Sequence, residues 1–259
     1  RSRHSREKEP VAAWHLTLLA KDLAGWRNLI RLSSAAYLEG FYYVPRVDRE
    51  LLHAHREGLV VLSGCLSGEL SYWTLQGRPD LAREAAGFYR ETFGEDFFLE
   101  VQRHGIEGQE RCLETCVALA RELGAPLVAT NDFHYEGRED ADAQEVLVCI
   151  HTGKTLAEEN RMRMESRELF FKSPEEMARL FRDLPEALRS TESIAERCHL
   201  ELRFGEMHLP RFEVPGGGDA AAYFRRLCAE GLRRRYPAPG PGVRERPPLH
   251  GVEGLSFNP

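Results

Sequence analysis

Four short apolar runs, each followed by a helical pattern, constrain this chain more than any other feature. They are Trp14–Leu19, Leu59–Leu62, Phe97–Val101 and Pro126–Ala129. Helical periodicity follows the first from about Leu23 to Leu38, with Trp26, Leu29, Ile30 and Ala36 as the apolar positions. The second leads to helical segments that include Asp80–Phe93, the third to Glu107–Leu123, and the fourth to Arg138–Ile150. A strand with one wet face alternates apolar and polar residues, whereas these runs are apolar almost throughout, so both faces are expected to be covered. Strands of this kind, separated by helices, predict an α/β domain with a buried parallel sheet, either a barrel or a doubly wound sheet.

Beyond Ile150 the pattern changes. Leu169–Lys172 reads as a last strand. Ser173-Pro174-Glu175-Glu176 then carries a helix start, with Ser at the cap, Pro at the first helical position and Glu three residues after the cap. That helix is expected to run to about Arg182, and a second from near Pro185 to about His199. Pro215–Gly218 reads as a linker, and Asp219–Tyr236 as a basic helix carrying Arg225, Arg226, Arg233, Arg234 and Arg235. Such a run is an ordinary solvated face, with DNA phosphate the alternative partner. Residues 1–13 read as a polar tail or linker. Residues 237–259 form a Pro/Gly-rich tail expected to be disordered.

Composition narrows the function classes. Hydrophobic residues make up 42% of 259, enough for a sizeable core, and the net charge of −6 excludes a protein that grips DNA by bulk electrostatics alone. No run is long and apolar enough to span a membrane, and the N-terminus lacks the apolar stretch of a signal peptide. The six cysteines form no CxxC pair, which fits a reduced, cytoplasmic setting; Cys112 and Cys116, four apart on a helix, read as small buried hydrophobes. The chain does not begin with Met, which suggests a piece of a longer protein.

Three of the apolar runs lead directly into polar residues able to bind metals. Leu59–Leu62 leads to Ser63-Gly64-Cys65, Phe97–Val101 to Gln102-Arg103-His104, and Pro126–Ala129 to Thr130-Asn131-Asp132-Phe133-His134. In parallel α/β folds the active site collects at the carboxyl ends of strands. A thiol, an imidazole and an Asp-x-His pair are therefore expected at one rim. Asp132 and His134, two apart on extended backbone, point to the same side and can bind or bridge ions. The competing readings are that Asp132 caps a helix, that Cys65 is a small residue in a tight turn, and that His104 belongs to a polar rim.

Several segments carry a more specific pattern. They include His15–Lys21, Trp26–Leu29, Leu32–Tyr43, Pro45–Asp48, Leu62–Glu69, Val128–Tyr135, Ile150–Leu156, Lys172–Met177, Ile194–Cys198 and Cys228–Leu232. Over almost all of residues 15–236 the chain resembles the PHP domain of bacterial DNA polymerase III alpha subunits and its junction with the polymerase core. The resemblance implies a PHP domain over residues 14–172, a distorted (β/α) barrel lacking its first strands, and a helical junction over 173–236.

It further implies a cluster of divalent metals, zinc or manganese, with His15, Cys65, Asp132 and His134 at ligand positions. Asp132 and His134 would also be catalytic, and His104 and Arg103 would line the substrate and phosphate pocket. The chemistry implied is phosphodiester hydrolysis, a 3′–5′ exonuclease acting on a DNA primer terminus beside other replicase subunits. The family's opening His-x-His strand, Asp-His pair and Glu are not found here, so the cluster is expected to be short of ligands and this piece alone inactive. The polymerase carboxylates would lie past its end. After Tyr236 the likeness stops, and a frame shift or truncation near Arg246 is the expected cause. Two other functions remain open: a non-catalytic PHP scaffold that braces the polymerase and binds a proofreading subunit, and a stand-alone phosphatase for a small phosphate monoester.

Overall fold

A computed structural model describes residues 2–6, 13–207 and 209–236. The tail expected to be disordered, 237–259, lies outside the described residues. The chain divides into two units, residues 1–202 and 203–259.

The first unit is built on an open four-stranded sheet in the order β1 (Thr17–Ala20), β2 (Leu59–Leu62), β3 (Phe97–Val101) and β4 (Leu127–Ala129). Every residue of β2, β3 and β4 is buried, as a sequence that is apolar throughout but for Glu100 requires. Pairs β2–β3 and β3–β4 are parallel. The expectation of an all-parallel sheet fails at β1, which runs antiparallel to β2 with Ala20 opposite Leu59. The reason is the connection. Helix α1 (Leu23–Leu38) leads away, and α2 (Arg49–Ala54) returns the chain to the end of the sheet it left. There Lys21 N–H donates to the Gly58 carbonyl at 2.8 Å.

Helix α1 has the expected bounds, with the Asp22 side chain accepting from Gly25 N–H at its start. Its buried face is rotated from the one expected: Gly25, Asn28, Leu32 and Ala36 are covered, while Ile30 is half exposed. Backbone contact sets this rotation. A Cβ on Gly25 would stand 1.9 Å from the Gly58 carbonyl oxygen, and Asn28 Nδ2 donates to the Glu57 carbonyl at 2.9 Å.

The two faces of the sheet bury different partners. Leu59, Val61, Phe97, Leu99, Leu127 and Ala129 pack in one large core with helices α3 (Glu69–Leu75), α4 (Pro79–Phe93) and α5 (Gln109–Leu123). Val60, Leu62, Phe98 and Val128 point the other way, onto Ile194. This is the period-two alternation of a strand, with both faces apolar because both are covered. Each such side chain contributes ~1.5–3 kcal/mol when fully buried.

Past β4 come α6 (Ala141–Thr152), α7 (Pro174–Leu180) and α8 (Pro185–Arg197). The expected start of α7 is realised atom by atom. Ser173 Oγ accepts from Glu176 N–H at 3.2 Å, and Glu176 Oε2 accepts from Ser173 N–H at 2.9 Å. Phe181, Leu184 and Ala187 lie in the large core, so α7 and α8 belong to the first unit. The strand expected at Leu169–Lys172 reduces to a single parallel bridge, Tyr135 to Phe170. Residues 2–6, read as a polar tail, are held: Arg3 N–H and Nη1 both donate to the buried Asp48 carboxylate, at 2.9 and 3.0 Å.

In the second unit α9 (Ala220–Arg235) is the expected basic helix, capped where Asp219 accepts from Ala222 N–H at 2.7 Å. None of its described residues is buried.

Candidate functional site

The carboxyl ends of β2, β3 and β4 lead into three polar loops, and hydrogen bonds tie these loops together. After β2 the chain turns sharply at Gly64, whose φ of +88° suits glycine; a Cβ there would stand 2.6 Å from the His15 carbonyl oxygen. That close approach is what brings His15 to the β2 loop. His15 N–H donates to the Ser67 carbonyl at 3.0 Å, and His15 bridges to Gly68. Cys65 Sγ and His15 Nδ1 end 3.6 Å apart.

After β4, Asn131 through Tyr135 form a loop braced from behind. His134 N–H donates to the Leu169 carbonyl at 2.8 Å, and Asn131 Nδ2 to the Phe170 carbonyl at 3.0 Å. Asp132 and His134 do share a side, with Asp132 Oδ1 3.3 Å from His134 Nε2, and both side chains are over 40% exposed. The structure gives Asp132 no capping bond, so the competing helix-cap reading loses its support.

Donor chemistry and spacing can be tested against a divalent ion. Tetrahedral zinc with ordinary Zn–S and Zn–N lengths puts a thiolate and an imidazole nitrogen about 3.5 Å apart, and a carboxylate oxygen and an imidazole nitrogen about 3.4 Å apart. Each pair has the spacing that one ion requires. The pairs stay separate, however. Among the described residues no three His, Cys, Asp or Glu side chains form one group able to hold a metal. Among the described residues the four expected ligands meet as two two-donor pairs.

Between them sits a residue that sequence reasoning missed. Glu100, on β3 and 9% exposed, accepts from Gly64 N–H at 3.1 Å through Oε2, and from Thr130 Oγ1 at 2.6 Å and Gln102 Nε2 at 3.1 Å through Oε1. Burial pushes its carboxyl above the usual carboxylate range, and the nearby Asp132 charge adds to this. Its signal was a lone carboxylate inside an otherwise apolar strand, Phe97-Phe98-Leu99-Glu100-Val101.

His104 is buried, 2% exposed, and its ring is fixed at both nitrogens. Gln109 Nε2 donates to Nδ1 at 3.1 Å, which places the ring proton on Nε2, facing Asn131 Oδ1 at 3.4 Å. Burial and the Lys172 charge hold its pKa below the ordinary histidine value, so the ring is neutral. His104 therefore braces Asn131, next to Asp132. Arg103 is committed elsewhere. Its guanidinium donates to both Asp183 oxygens, at 2.6 and 2.9 Å, to the Leu180 carbonyl at 2.8 Å and to Glu110 at 3.1 Å. Arg103, expected to line the phosphate pocket, instead clamps the link between α7 and α8 against the end of β3 among the described residues.

All six cysteines are free. Cys116, on α5, is buried and its thiol is pushed up to about 12; burial raises Cys112 as well. Both are inert core thiols. No described helix is long and apolar enough to cross a membrane.

Comparison with known proteins places this chain in a family. Residues 3–104 match the PHP domain model, a range that holds His15, Cys65, Arg103 and His104. The chain is 45% identical over 226 residues to a DNA polymerase III subunit alpha of Borreliella burgdorferi, covering 86% of this chain and 20% of the relative. It is 43% identical over 249 residues to the same subunit of Treponema pallidum, covering 95% and 21%, and 45% identical over 233 residues to that of Thermus aquaticus, covering 86% and 19%. The fold and the match define a PHP-domain protein. The chain belongs to the bacterial DNA polymerase III alpha-subunit family, and it spans about a fifth of the length of the curated relatives it matches.

Proposed function

We propose that this chain is the PHP part of a replicative DNA polymerase alpha subunit, with residues 14–172 forming the metal-dependent phosphoesterase and 173–236 leading to the polymerase core. In the intact polypeptide the four-stranded sheet is part of a distorted (β/α) barrel. His15 and Cys65 hold one side of a zinc or manganese site, and Asp132 and His134 hold another. The observation that carries this reading is the pair of donor separations, 3.6 and 3.3 Å, one in the loop after β2 and one in the loop after β4.

Bound divalent ions supply positive charge that neutralises phosphoryl oxygens as a phosphodiester is attacked. The chain's own residues supply the rest. Gly64 lets the His15 backbone approach, Asn131 and neutral His104 hold the Asp132 loop, and the half-exposed Asp132 and His134 side chains remain open to a substrate. A DNA primer terminus is the substrate, its 3′ nucleotide the product, and other replicase subunits in the cytoplasm are the partners.

A second reading has one observation in its favour. Because the described residues gather no three donors, a non-catalytic scaffold that braces the polymerase and carries a proofreading subunit needs nothing beyond what is present. One experiment separates the two. The intact polymerase polypeptide, purified without other subunits, is given a primer labelled at its 3′ end. Nucleotide release that stops on chelation and returns with zinc or manganese is the expected result. Absence of release at saturating metal assigns the scaffold role instead.

A further inference from the structure

We infer that Glu100 is a positioning residue that sets the spacing between the two donor pairs. The inference rests on the metal reading above and extends it to a residue that is not itself one of the proposed ligands. β2 and β4 are not neighbours; β3 separates them, so nothing in the sheet ladder fixes the β2 loop directly to the β4 loop. Glu100 supplies that link. One carboxylate oxygen accepts from the Gly64 N–H, the residue before Cys65. The other accepts from the Thr130 hydroxyl, two residues before Asp132. Gln102 Nε2, which donates to the Thr130-side oxygen, also lies 3.0 Å from Thr130 Oγ1 and closes a small ring of bonds there. The backbone of Glu100 is fixed too: its N–H donates to Ser63 Oγ at 2.9 Å, and its carbonyl faces the Cys116 thiol at 3.7 Å.

The alternating faces of β3 place this side chain with Phe98, on the side of the sheet covered by α8, just beyond the apolar layer. A carboxylate there is costly unless both oxygens are hydrogen-bonded, and here three donors reach them. Such supporting groups set metal affinity without touching the ion, and their loss costs ~10–100-fold.

The variants follow from the bonding. In Glu100→Gln the amide oxygen can keep the Gly64 N–H, while the amide N–H₂ meets Thr130 and Gln102. Both of these can reverse to accept, the first by rotating its hydroxyl and the second by flipping its amide. Glu100→Gln therefore preserves the bridge, and Glu100→Ala removes it. Thr130→Val removes one arm with little change of shape.

Two readouts on the intact polymerase polypeptide test this: zinc affinity by equilibrium dialysis, and backbone hydrogen exchange in the metal-free protein, resolved to the peptides containing Gly64–Cys65 and Thr130–His134. Glu100→Ala is expected to weaken zinc binding by about 10-fold or more and to speed exchange in both loops. Thr130→Val should do so to a lesser degree, and Glu100→Gln should stay within about threefold of the parent. Unchanged zinc affinity and exchange in Glu100→Ala would overturn the inference. So would a Glu100→Gln as damaged as Glu100→Ala, since a geometric bridge tolerates the amide and a direct ligand does not. If the parent chain takes up no zinc, the metal reading fails, and the exchange data still decide whether Glu100 couples the loops. Global misfolding of Glu100→Ala is recognised by exchange rising everywhere, in which case Thr130→Val alone decides.

Discussion

Phe181→Ala is expected to destabilise the first unit by about 3–5 kcal/mol, the usual cost of emptying a phenylalanine site in a close-packed core. Phe181 is fully buried and belongs to the same cluster as Phe97 and Leu99 of β3, although 80 or more residues separate them in the chain. The Arg103 guanidinium lies over its ring at 5.3 Å and clamps the neighbouring Asp183, so the surroundings are held and collapse only partly into the void. A folded domain has a total stability of about 5–15 kcal/mol, which makes the loss a large share of it. Urea unfolding followed by far-ultraviolet circular dichroism measures it. A change under about 1 kcal/mol would mean that α7 and α8 pack on the sheet only loosely.

Asp132→Ala should behave in the opposite way. Its side chain is 43% exposed, and its partner is His134, so removing it should leave stability within about 0.5 kcal/mol of the parent. Zinc affinity should nevertheless fall by about 100-fold or more, because loss of a ligand exceeds the ~10–100-fold cost of losing a supporting group. In the intact polymerase polypeptide, metal-dependent release of the 3′ nucleotide should fall with it. A variant that keeps full affinity would remove Asp132 from the site. The two substitutions thus separate what holds the fold from what would hold the ion.

Much of this architecture was legible because it is written in local chemistry. Apolar runs, broken only by Glu100, marked β2, β3 and β4, and Ser173-Pro174-Glu175-Glu176 marked the start of α7 to the residue. Asp132 and His134 do come together, although on a bent loop, where Phe133 N–H donates to the Asn131 carbonyl at 2.9 Å, rather than on the extended backbone expected. What was not legible depends on distant backbone. The antiparallel course of β1 follows from where α2 returns the chain, and the rotation of α1 follows from the contact of Gly25 with Gly58. Arg103 looked like a phosphate ligand at a strand end until Asp183, 80 residues later, claimed it. Glu100 was hidden by its apolar neighbours, since only the fold reveals that Gly64 and Thr130 converge on it. The placement of four donors as two pairs could not be read from spacing at all.

In the proposed function the two donor pairs serve one metal site. A double-mutant cycle in zinc affinity, using Cys65→Ser, Asp132→Ala and the double variant, measures it directly. Shared coordination predicts that the two losses do not add, with a coupling of about 0.5–3 kcal/mol between residues on different loops. Strict additivity of the two losses would mean that each pair acts alone, and the single-site account would be wrong.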